Sequence, residues 1–165
     1  MESQSPPKLR FAVGIFDSWE RLRGGVRDFR TRGLRIDDVN CLGLLRVFAR
    51  ETTIAAALWH EPLRIRKIAF PGNSGPIACT SGPLAEHLDH AGRSGAANLR
   101  EALATWLLPR HADYFQERLE AEDIQLWVHI ANTDDERHAC QSLLALSSGT
   151  VGVHDFISPR NGQNP

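Results

Sequence analysis

The sequence predicts an α+β fold in which two strand–helix–strand units build one four-stranded antiparallel sheet. The first observation is Ile124–Ala131, where side chains alternate as in a strand with one face on a core. The second is that a helix signal and a further strand follow this stretch, and that the N-terminal third shows the same succession. Two such units closed by right-handed crossovers give the ferredoxin-like arrangement, with the helices on one face of the sheet.

The N-terminal unit begins with Phe11–Phe16, a predicted strand whose small-residue face carries Gly14. Asp17 or Ser18 can cap the helix that follows, and its apolar stripe consists of Trp19, Leu22, Val26 and Phe29. Val39–Val47 is the second predicted strand. Because Leu44 and Leu45 are adjacent, we expect a bulge or burial on both faces there.

The C-terminal unit is built around the strand at Ile124. Trp127 and His129 lie on its second face, opposite the aliphatic one. Thr133 and Glu136 have the spacing of a capping box, so a helix is expected from about Asp134 to Leu146. Residues 150–157 are predicted to form the last strand.

Residues 48–120 are predicted to be a large, mainly helical insertion between the halves of a single domain, with loose tails at 1–8 and 158–165. Within it, residues 54–59 can form a short helix or a strand, and residues 63–70 a strand. Pro83 and Pro109 suit the first turns of two helices, the former ending near His90. Residues 98–108 show helical spacing as well.

Composition restricts the classes of function. A formal net charge of −1 over 165 residues provides no general attraction for nucleic acid or an anionic membrane. Arginines interrupt the apolar window 42–59, which argues against a membrane span, and the first residues lack a signal peptide. Three scattered cysteines are typical of free thiols in a reducing cytoplasm, and Cys79 is expected to be the exposed one. The sequence therefore predicts a cytoplasmic protein with no nucleic-acid or membrane partner.

Several short motifs resemble the bacterial general stress proteins with the heat-induced YflT-like domain. The opening strand, helix and acidic entry to the second strand are similar to theirs, and so is a later pair of Gly-Pro motifs. The matching positions are Phe11–Asp17, Gly33, Ile36–Asn40, Gly75–Ala78, Gly82–Ala85, Pro109, Tyr114, Glu117 and Leu119. The resemblance implies a stress-linked, non-enzymatic protein and transfers no catalytic residue. Charged and aromatic residues occupy 48–70, where many relatives have a Gly/Ala-rich segment.

The first candidate site is the second face of the strand at Ile124. In the predicted fold this face is open, and Gly14 on the neighbouring strand would leave space beside Trp127, with His129 as a polar group. A pocket there could hold a small ligand. An exposed tryptophan face is more often covered, either by the insertion or by a second subunit.

The second candidate is His87 with His90. Three residues apart on a helix, the two imidazoles can point the same way and bind a metal, and Cys79 and His111 can complete such a site in space. The alternative is a solvated helix face, since the pair has no third ligand nearby in sequence.

The sequence carries no recognisable catalytic motif, and no cofactor is expected. The primary hypothesis is a stress-related protein that acts by association, as a homodimer or with a protein partner, through the face around Trp127. The alternative is a small-ligand or metal sensor that uses that face or the pair His87/His90.

Overall fold

The structure is a computed structural model that describes residues 8–35, 38–50 and 64–157. This part of the chain contains six strands and six helices. In chain order they are β1 (Lys8–Phe16), α1 (Trp19–Thr31), β2 (Val39–Leu44), α2 (Leu45–Arg50), β3 (Ile65–Ile68), β4 (Ile77–Thr80), α3 (Pro83–Arg93), α4 (Leu99–Leu103), α5 (Pro109–Glu120), β5 (Ile124–His129), α6 (Thr133–Leu146) and β6 (Gly152–Ile157). The predictions for the tails and for residues 54–59 fall wholly or mostly outside the described residues.

The strands form one six-stranded sheet in the order β3-β4-β2-β5-β1-β6, and every neighbouring pair is antiparallel. The α+β class is therefore confirmed. The predicted count of four strands is wrong, because β3 and β4, both from the predicted insertion, pair with each other and extend the sheet beyond β2. β4 was not expected as a strand at all.

Helices pack on both faces of this sheet, whereas the sequence analysis expected them on one. On the first face lie α1 and α6: the ring of Phe16 reaches Gly25 of α1, and Leu143 of α6 reaches Gly14. On the second face the ring of Phe115 from α5 contacts Trp127 of β5. Since both faces are covered, all six residues of β2 and the first five of β5 are buried.

The ends of the helices and strands differ from the predicted ones chiefly at three places. Ser18 caps α1 as expected, but Asn132 rather than Thr133 caps α6, accepting a hydrogen bond from the amide of Asp135. The strand predicted over Val39–Val47 ends at Leu44, and α2 begins at the next residue, Leu45. The expected helix over 98–108 is helical only from Leu99 to Leu103, and turns follow it.

Candidate functional site

The predicted open face around Trp127 is closed within the protomer. Its indole is fully buried, with ring centroids 5.0 Å from Phe115 and 5.6 Å from Phe156. The indole Nε1 donates to Gln125 Oε1 at 3.1 Å, and Gln125 Nε2 donates to the carbonyl of Phe115 at 2.9 Å. Of the two coverings considered, the insertion is the one observed, since Phe115 of α5 lies against the fully buried ring.

Gly14 does not lie beside Trp127, so that expectation is wrong. Gly14 pairs with Leu126, and Val13 is the residue opposite Trp127. Because directly opposed residues share a face, Gly14 faces α6, where an added Cβ would lie 2.6 Å from Leu143 Cδ2.

His129 lies at the end of the Trp127 face. Its side chain is 31% exposed and its Nδ1 is 3.6 Å from Asp38 Oδ1. The structure therefore does not assemble Gly14, Trp127 and His129 into one site.

Cys79, expected to be the exposed thiol, is fully buried on β4. The strand that holds it was not predicted, which explains the error. Burial raises the pKa of the Cys79 thiol to about 12, so it stays protonated at neutral pH. It is a packed core residue rather than a nucleophile.

A groove of about 640 Å³ lies between α3 and the segment that follows it. Both histidines of the predicted pair line it, from one side of α3. The complete lining is His87, His90, Ala91, Ser94, Gly95, Ala96, Glu101, Ala102, Thr105 and Trp106. The lining thus combines small apolar residues and an indole with a few polar groups, as ligand sites do.

His87 is held firmly at one wall of this groove. Its ring stacks on Trp106 with 29° between the ring planes, and its Nε2 lies 3.0 Å from the carbonyl oxygen of Ala102. A carbonyl oxygen only accepts, so Nε2 carries the hydrogen. Desolvation lowers the pKa of His87, which favours the neutral ring. Its Nδ1 is buried, with no partner among the described residues.

These contacts make His87 a poor metal ligand, because one ring nitrogen is engaged by Ala102 and the other is buried. Cys79 lies in the sheet core, and His111 packs against His154, with ring centroids 5.0 Å apart. Within residues 8–35, 38–50 and 64–157, no three or more His, Cys, Asp or Glu side chains are grouped so that they could hold a metal ion.

Among the lining residues that the sequence analysis did not name as site residues, Glu101 and Trp106 contribute the carboxylate and the indole. Glu101 lies in α4 and Trp106 in the turn that follows it, and their packing against α3 brings them to the histidine pair. Trp106 also contacts Phe156, with ring centroids 4.4 Å apart, so the groove wall is continuous with the core over the sheet.

Comparison of the chain with protein-family models, with curated proteins and with solved structures gives no match. Among the helices described, none has the length and apolar character needed to cross a membrane.

Proposed function

We propose that this protein binds a small ligand in the groove between α3 and α4. The observation that carries the proposal is the groove itself, a concavity of about 640 Å³ lined by an indole, two imidazoles and a carboxylate among small residues. Its size lies in the range that small-molecule sites occupy. This is the sensor alternative of the sequence analysis, at the second of the two places considered for it, the pair His87/His90.

The primary hypothesis, association through the Trp127 face, has lost its contact surface because that face is covered within the protomer. A homodimer, a protein partner, a stress-related role and a cytoplasmic location stay predictions. So does membership of the general stress proteins, which rests on the short motifs alone.

We also propose that the fold is an elaborated ferredoxin-like fold. The four strands of the two strand–helix–strand units are consecutive in the sheet, in the order β2-β5-β1-β6. Strands of the N-terminal unit alternate with strands of the C-terminal unit in this order, which supports a split arrangement of the two units. The β3–β4 hairpin is then an addition at the β2 side, and the insertion is of mixed rather than mainly helical structure.

The ligand-binding proposal is tested by nuclear magnetic resonance of the ¹⁵N-labelled protein with a set of small aromatic and aliphatic compounds. We expect amide shifts to concentrate on α3, α4 and the loop between them. Thr105→Phe should abolish these shifts, because Thr105 is an exposed lining residue and the larger ring fills the groove. Thr31→Phe, at an exposed site on the other face of the sheet, is the control and should leave them unchanged. Shifts that are scattered, or that survive Thr105→Phe, would contradict the proposal.

A further inference from the structure

We infer that the ligand of the groove is a small organic cation, an ammonium group carried on an apolar body. This inference rests on the proposed function and names its ligand class. Glu101 is the single carboxylate among the lining residues, and neither lysine nor arginine lines the groove. The fixed charge of the lining is therefore negative.

The carboxylate of Glu101 is held in place before any ligand arrives. Its Oε2 accepts a hydrogen bond from the amide of Ala97 at 2.7 Å, and its own amide donates to Asn98 Oδ1 at 2.9 Å. This is a reciprocal arrangement close to a capping box at the start of α4. A carboxylate can accept about four hydrogen bonds, so Glu101 keeps acceptor capacity for a ligand N–H group.

The surroundings of Glu101 also favour a cation. The groove is lined by Ser94 and Gly95, directly after the C-terminal end of α3, where the helix dipole places partial negative charge. The two nearest arginines in sequence contact other carboxylates: Arg93 shares Asp89 with Arg66, at 2.9 Å and 3.2 Å, and Arg100 lies 3.7 Å from Asp113. Neither arginine lines the groove.

The remaining lining accounts for the apolar body of the ligand. The three alanines and Trp106 provide a wall on which a hydrocarbon or aromatic group can pack. His87 covers one face of the indole, so the ring acts as part of an apolar wall. The hydroxyls of Ser94 and Thr105 are polar but uncharged, and they do not reverse the preference set by Glu101.

The test uses three probes that share one body and differ in charge: phenethylamine, 2-phenylethanol and 3-phenylpropionate. Titration at pH 7.5 and constant ionic strength, followed by the amide shifts of the groove residues, gives a Kd for each. We expect the amine to bind about two- to fivefold more tightly than the alcohol, the range for a partly solvated ion pair, and the carboxylate to bind most weakly.

Glu101→Gln separates charge from structure, because an amide oxygen can still accept the hydrogen bond from Ala97. It should bring the Kd values of the amine and the alcohol together. Glu86→Gln, which removes an exposed carboxylate of α3 outside the lining, is the matched control and should keep the preference.

Equal binding of the three probes at the groove, tightest binding of the carboxylate, or an unchanged preference in Glu101→Gln would overturn the cation assignment and leave the binding function standing. If none of the three probes shifts a groove resonance while other compounds of the wider set do, the cation assignment fails alone. If no compound of either set does, both proposals fail.

Discussion

The hydrogen bond from Trp127 to Gln125 is a buried link between two side chains of β5, and it can be measured by a double-mutant cycle. Trp127→Phe removes the donor and leaves Gln125 Oε1 without a hydrogen bond in a fully buried site, which costs about 1–3 kcal/mol. The lost ring atoms add about 1–2 kcal/mol through packing. We therefore expect Trp127→Phe to lower the free energy of unfolding by about 2–5 kcal/mol.

Gln125→Met provides the second arm of the cycle, since it keeps the length of the side chain and removes both of its polar atoms. The carbonyl of Phe115 loses its donor both in the single variant Gln125→Met and in the double variant, so the cost of that loss cancels in the cycle. In the Gln125→Met background the buried indole Nε1 has already lost its acceptor, so Trp127→Phe should cost no more than the packing contribution. The expected coupling between the two changes is therefore at least the cost of the unsatisfied Gln125 Oε1, about 1–3 kcal/mol.

Urea unfolding followed by far-ultraviolet circular dichroism measures the four free energies without relying on tryptophan emission. A coupling within about 0.3 kcal/mol of zero would refute the reasoning, because sites that do not interact are additive to that extent. Trp127→Asp gives a separate check of the buried face: we expect it to unfold the protomer rather than to yield a folded monomer, since it buries an unpaired charge.

Three further predictions follow from contacts elsewhere in the fold. Gly14→Ala should destabilise by about 1–3 kcal/mol in urea unfolding, because its Cβ meets Leu143; adding Leu143→Ala should cost less than the sum of the single changes, and strict additivity would argue against this contact. Asn132→Ala should cost about 1 kcal/mol and Asn132→Ser much less, whereas equal losses would show that the cap is unimportant. Desolvation lowers the pKa of His87 and His154 below the ordinary value of 6.5, so around and below that pH the unfolded chain binds more protons than the folded one, and the melting temperature should fall from pH 7.5 to pH 5.5. His87→Gln and His154→Gln should each make this fall smaller. A dependence of melting temperature on pH that neither variant changes would contradict the assignment.

The local features of the fold were predictable because they depend on near neighbours in sequence. Pro83 and Pro109 do begin helices, and the predicted stripe of α1 is entirely buried. By contrast, β4 consists of four residues that are all buried, so it shows no alternation from which a strand could be recognised. Its place in the sheet depends on pairing with β2, which the local sequence does not encode.

Coverage of the Trp127 face was the favoured expectation, but the local sequence could not tell the insertion from a second subunit as the covering element. Gln125 is polar, and its alternation with aliphatic residues placed it on the face that the predicted four-stranded sheet leaves open. In the structure the side-chain amide of Gln125 is hydrogen-bonded to Trp127 and to the carbonyl of Phe115, so it is buried with hydrogen-bond partners. The side of the sheet on which Gly14 lies depends on the register between β1 and β5. An alternating pattern does not fix this register, and a shift of one residue moves every side chain to the other face.

For the candidate site, the spacing of His87 and His90 correctly indicated that the two side chains share one region. The partners that define the region chemically come from the next part of the chain, Glu101 from α4 and Trp106 from the turn after it. Only the packing of α4 on α3 brings them to the histidines. A sequence pattern could identify the pair, but it could not distinguish a metal site from a groove wall.

The interior place of β1, between β5 and β6, has a consequence for the order in which the sheet can form during synthesis. β1 leaves the ribosome before its sheet neighbours β5 and β6. The backbone of Phe11 can be paired on both sides only after His129 and His154 have been synthesised. β2 and β4, which are closer in sequence, can meet earlier. We therefore expect nascent chains truncated before β5 to expose an apolar N-terminal strand and to need chaperone protection, and the full chain to refold slowly.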